Sequence, residues 1–93
     1  MLNMATIHRL HEFRFVIHSN DHDPAHVHLI SGDGHEKVRL FGTKGEPEVE
    51  RISGIPRHRL RRLVKEVLEN REEFLKRWEE IHGKREEDEA KAE

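Results

Sequence analysis

Phe13-Arg14-Phe15-Val16-Ile17-His18 and His26-Val27-His28-Leu29-Ile30, separated by Ser19-Asn20-Asp21-His22-Asp23-Pro24-Ala25, form the stretch that decides the fold. Phe13, Phe15 and Ile17 alternate with Arg14, Val16 and His18, a period of two that predicts a strand with one apolar face. Val27 and Leu29 alternate with His26, His28 and Ile30 in the same way. Pro24 pushes Asp23 towards extended backbone and cannot continue a helix, so residues 19–25 read as a loop between two strands. Side chains two apart on a strand share a face. His26 and His28 therefore share the face away from Val27 and Leu29, and His18 has the same outward parity on the preceding strand. Pairing of the two strands across the loop would bring His18, His26 and His28 onto one surface, with Asp21, His22 and Asp23 above it.

Outward from this stretch, Gly32-Asp33-Gly34 is a turn signal, and Val38 and Leu40 then alternate with Lys37, Arg39 and Phe41. Gly42-Thr43-Lys44-Gly45 marks a second turn, followed by a short strand candidate near Glu48–Ile52. The second half reads as helix. Leu60, Leu63, Val64, Val67, Leu68, Phe74, Leu75, Trp78 and Ile81 recur at spacings of three and four, Pro56 suits the first turn and Gly83 the end. Arg71 interrupts the stripe, which places a bend or break near Asn70-Arg71. The expected fold is α+β: a three- to four-stranded antiparallel meander, then a long C-terminal helix or helical pair packed on one sheet face. Residues 1–83 are expected to form a single domain. Residues 84–93 carry no large apolar side chain and read as a charged tail, a frayed helix or disordered.

The chain has 93 residues, 39% of them charged and 33% hydrophobic, so its core is thin and each apolar position matters. It has no cysteine, which excludes disulfides, thiolate metal ligands and a cysteine nucleophile. No apolar run approaches the roughly 20 residues of a membrane-spanning helix. The first residues lack the basic and apolar regions of a signal peptide, so the default compartment is cytoplasmic. The net charge of −2 hides an asymmetry. Residues 51–65 hold Arg51, Arg57, Arg59, Arg61, Arg62 and Lys65 and no acid, between two acidic flanks.

The 9 histidines concentrate the chemistry, because six of them fall within the first 28 positions. His22, His26 and His28, with Asp21 or Asp23, are candidate ligands for zinc or another divalent transition metal. No cofactor is fixed by the sequence beyond that candidate. His26 and His28 are equally candidate catalytic residues, one as general base and the other as general acid on a phosphodiester. The bland alternative is a polar sheet face beside an ordinary Asp-Pro turn. His8, His11, His35, His58 and His82 read as surface residues. Arg57, Arg59, Arg61 and Arg62, at the helix start, are candidate anion or nucleic-acid contacts. The alternative there is a solvated face with Arg62–Glu66 and Lys65–Glu69 pairs at i,i+4. With a negative net charge, nucleic acid has weak support. Trp78 reads as core.

Asn20-Asp21-His22-Asp23-Pro24-Ala25-His26-Val27-His28 resembles the signature of the prokaryotic family known as domain of unknown function 4160, in which an Asp-His segment with prolines leads into a His-aromatic-His strand. Gly54-Ile55-Pro56, the leucines after it, Asn70-Arg71-Glu72-Glu73 and Trp78 are similar to the family's helical half. The resemblance covers roughly residues 6–82. The family usually has a second proline where this chain has Ala25 and an aromatic where it has Val27; neither change removes a candidate ligand. The resemblance implies a small stand-alone protein encoded beside another small protein, in the manner of a toxin–antitoxin pair. On that basis the expected function is a partner-binding component of such a module, with a histidine-rich metal site. The alternatives are a metal-binding domain or a histidine-dependent ribonuclease-type toxin. Whether the chain is an enzyme, and whether it forms a homo-oligomer, stay open.

Overall fold

The computed structural model describes residues 4–83; the stretch read as a tail, residues 84–93, lies outside them. Five strands run in order: β1 (Met4–Leu10), β2 (Phe13–His18), β3 (His26–Ile30), β4 (His35–Arg39) and β5 (Glu48–Ser53). Each pairs antiparallel with its neighbour, giving one sheet of order β1-β2-β3-β4-β5. Two helices follow, α1 (Arg57–Glu69) and α2 (Arg71–His82). The fold is α+β as expected, with five strands rather than three or four. The strand missing from the sequence reading is β1. A bulge between Thr6 and His8 shifts its register against β2, so its side chains do not alternate with a clean period of two.

Phe15 pairs with Leu29, and Val27 with Val38, so the apolar sets of β2, β3 and β4 share one face. Both helices cover that face. Phe13, Phe15, Ile17, Val27, Leu29, Val38 and Leu40 from the strands and β-turns meet Leu63, Val67, Phe74 and Trp78 from the helices in one buried cluster. The helical stripe breaks at Asn70 because Arg71 leaves it. The Arg71 guanidinium donates to the carbonyls of Leu40 and Gly45 and lies 4.4 Å over the Phe41 ring, so it ties α2 to the turn after β4. Gly54 takes a left-handed backbone (φ +72°) where β5 ends, and a Cβ there would run into the carbonyl of Asp33 in the β3–β4 turn.

Three histidines read as surface residues are tied into the fold. His8 sits on the covered face, its ring 5.0 Å from that of Phe15 and 5.4 Å from that of Phe74, and its Nε2 is 2.6 Å from Glu66 Oε2. Glu66 therefore serves His8 rather than Arg62. His82 and His35 are described with the site below. His11 and His58 are exposed, as expected.

Glu36 pairs with Leu29 on one side and Ile52 on the other, which puts a carboxyl on the apolar face. It is fully buried, and among the described residues neither oxygen has a hydrogen-bond partner. Burial pushes its pKa up to about 7. A raised folded-state pKa contributes stability that is complete below the unfolded value near 4.5 and is lost as pH rises through about 7. Urea denaturation at about pH 5 and about pH 8.5 should show wild-type stability falling with pH, and Glu36→Gln should remove up to about 3 kcal/mol of that difference. An identical pH dependence in both proteins would contradict this placement of the carboxyl.

Candidate metal centre

The site lies where β2, the following loop and β3 meet. Pleating sends Val27 and Leu29 to the covered face, so His26 and His28 take the opposite parity; His28 emerges on the other face, while His26, beyond the β2–β3 pairing, turns against Trp78 at the end of the sheet. Val16 pairs with His28, which sets His18 beside them; the His18 and His28 rings are 4.7 Å apart. His26 starts β3 and is only 3% exposed, with its ring 5.0 Å from that of Trp78. The loop before it contains a cis Asp23–Pro24 peptide bond.

Asp21 is fixed by the end of β2. Its backbone N–H donates to the carbonyl of His18 at 3.1 Å, and its Oδ2 accepts from the His18 N–H at 3.2 Å. This aims the carboxylate at the two histidines. Asp21 Oδ2 lies 3.2 Å from His26 Nε2 and 3.5 Å from His28 Nε2. The three ligand atoms all fall within 4.8 Å of one another.

Hydrogen bonding dictates what those atoms are. His26 Nδ1 is 2.9 Å from the carbonyl of Pro24, which only accepts, so Nδ1 carries a hydrogen; in the singly protonated ring this leaves Nε2 as the lone pair. His28 Nδ1 is 3.0 Å from His35 Nε2, which leaves the other nitrogen of His28 pointing at Asp21. Neither Nε2 makes an aligned hydrogen bond, although both are buried atoms. Burial pushes His28 down to about 4, against the pull of Asp21 in the other direction, so its ring is neutral at pH 7. Burial works to raise Asp21, but the His18 N–H and the nearby imidazoles hold its carboxyl below its ordinary value. The group is thus a carboxylate oxygen and two imidazole nitrogens converging on one point, with the His28 ring neutral at pH 7.

Such a set is the two-histidine, one-carboxylate arrangement used for zinc and for ferrous iron. Tetrahedral bonds of ~2.1 Å separate ligand atoms by about 3.4 Å, close to both measured separations. The Nδ1–H of His26 on a backbone carbonyl is the outer contact that normally orients a metal-bound imidazole.

Of the residues singled out by sequence, Asp21, His26 and His28 come together. His22 and Asp23 are exposed and stand outside that group. His35 was missed as a contributor. It is the diagonal neighbour of His28 across β3–β4, a position that follows from register counted back from the Gly32-Asp33-Gly34 turn. His82 was missed too. Its Nδ1 is 3.1 Å from the carbonyl of Trp78 and its Nε2 3.0 Å from that of His18, and the ring lies 3.9 Å from that of Trp78. Arg59 pairs with Glu12, while Arg57, Arg61 and Arg62 are exposed and have no ion pair among the described residues. They lie on α1, outside the Asp21, His26 and His28 group.

The model of the family described as Domain of unknown function (DUF4160) matches residues 12–79. The chain belongs to that family. The match takes in β2 to most of α2, and with them Asp21, His26 and His28. No curated protein and no solved structure matches the chain.

His82 holds the last turn of α2 against the end of β2, the same residue that positions Asp21. His82→Ala should lower stability by about 1–2 kcal/mol in urea denaturation. No change would show that His82 does not clamp that junction.

Proposed function

We propose that this protein binds one divalent transition-metal ion through Asp21 Oδ2, His26 Nε2 and His28 Nε2. One observation carries the reading: two buried imidazole nitrogens without hydrogen-bond partners face a single carboxylate oxygen at 3.2 and 3.5 Å. Lone pairs arranged that way repel unless a proton or a cation stands between them. His26 is too deeply buried for water to screen that repulsion freely. Three protein ligands leave coordination positions for water or a substrate, the pattern of a reactive rather than a purely structural site. A metal there would supply Lewis acidity and an acidified water.

The acid–base alternative has less support. It needs one ring protonated and both rings open to substrate, whereas His28 is neutral and His26 is sealed. The reading as a partner-binding component of a toxin–antitoxin-like module rests on the chain's size, its charged helix and the family resemblance.

Trp78 is the sole tryptophan and touches the His26 ring, so its fluorescence reports on the site. Chelator-treated protein titrated with zinc, nickel or copper should show a saturable change at one ion per chain. Outer-shell changes cost about 10–100-fold in affinity, so His28→Ala and Asp21→Ala should lose at least that much. His22→Ala should bind as wild type. Failure to bind any of the three ions, or equal affinity in Asp21→Ala, would refute the assignment.

A further inference from the structure

The helices cover one sheet face; on the other, Val16 and His26 are buried, but the exposed side chains are mainly cationic. Strand register fixes which residues stand on it. One row across the sheet runs Arg9, Arg14, Ile30, His35, Ser53; the next runs Thr6, Val16, His28, Lys37, Arg51. Arg39 follows opposite His26. Among the described residues, the carboxylates on this side are Asp21, within the candidate metal group, and Glu48 and Glu50. Glu48 and Glu50 neutralise Arg39 and Lys37, at 3.3 Å for Arg39–Glu48 and 3.4 Å for Lys37–Glu50. Arg9, Arg14 and Arg51 have no carboxylate within ion-pair distance among the described residues.

Two features argue that these charges serve a ligand. Arg9 and Arg14 are direct cross-strand partners. Like charges placed so oppose the sheet they sit in, and among the described residues neither has an ion-paired carboxylate to offset the other. The second feature is reach. From β1 to β5 is four inter-strand steps of about 4.8 Å, roughly 19 Å in all. The free cations lie near both ends of that span, with His28 and the exposed His35 ring between them. A single phosphate group cannot bridge it, whereas an extended chain of phosphates can.

We propose that the open sheet face binds a single-stranded nucleic acid, with Arg9, Arg14 and Arg51 on phosphates and the His35 ring available to stack on a base. Arg57, Arg61 and Arg62, the cations picked out by sequence, belong to the helical layer and are not part of this surface. The inference rests on the face's own cations and holds with or without an ion at Asp21, His26 and His28.

The test is fluorescence anisotropy of the full chain with labelled uridine and thymidine oligomers of about 12 nucleotides, within the range of one protein-domain footprint. Both single strands should bind, and more weakly as salt rises. The triple variant Arg9→Ala/Arg14→Ala/Arg51→Ala should lose at least about tenfold in affinity and reduce the salt slope by about 2, roughly 0.7 per phosphate contact on a single strand. The corresponding three Arg→Lys changes should retain most of the binding, which separates charge loss from misfolding. Arg57→Ala/Arg61→Ala should match wild type. Absence of binding to either strand, full binding by the triple alanine variant, loss in the helix variant instead, or equal affinity for polyglutamate would overturn the proposal. Oligonucleotide binding that persists when the zinc titration of Trp78 fails would sink the metal reading and leave this one standing.

Discussion

A pleated strand must send adjacent side chains to opposite faces, and in β3 that rule separates the core from the histidine group. Val27 and Leu29 take the covered face, where Phe74 and Trp78 of α2 close the core. His26 and His28 thereby take the opposite parity, next to one another, with His28 next to His18 and His26 turned against Trp78. A shift of one residue would bury imidazoles under the helices and expose Val27 and Leu29, so the hydrophobic core enforces the register that assembles the histidine group. The site is a consequence of how the core packs.

The loop adds what the strand cannot. Asp21 folds back on His18 through two backbone contacts and brings a carboxylate over both rings. The carbonyl of Pro24 takes the Nδ1–H of His26, and His35 occupies Nδ1 of His28. Each outer contact leaves Nε2 turned inwards. The clamp continues into the helical layer, because His82 reaches the same His18 carbonyl region while stacking on Trp78. Sheet, loop and helix end thus converge on one residue of backbone. This explains how a thin-cored chain holds three polar groups in a fixed arrangement.

Much of this was legible in the sequence. The period of two around Phe13–Ile17 and Val27–Leu29, the turn glycines and the helical stripe gave the α+β class and the outward parity of His26 and His28. The β1 strand was not legible, because the bulge near His8 breaks the alternation that marks a strand. The role of His8 depends on Glu66, which lies 58 residues away, and no local pattern encodes that separation. The loop offered Asp21, His22 and Asp23 as equals; only the fold back onto His18 distinguishes Asp21. Glu36 falls at a core position that composition alone would never assign to a carboxyl.

The central claim is a ligand set, and X-ray absorption at the metal edge of zinc-loaded protein reads it directly. The account predicts two imidazole nitrogens and one carboxylate oxygen at about 2.0–2.2 Å, completed by water. A spectrum showing only oxygen donors, or three or more imidazoles, would contradict it.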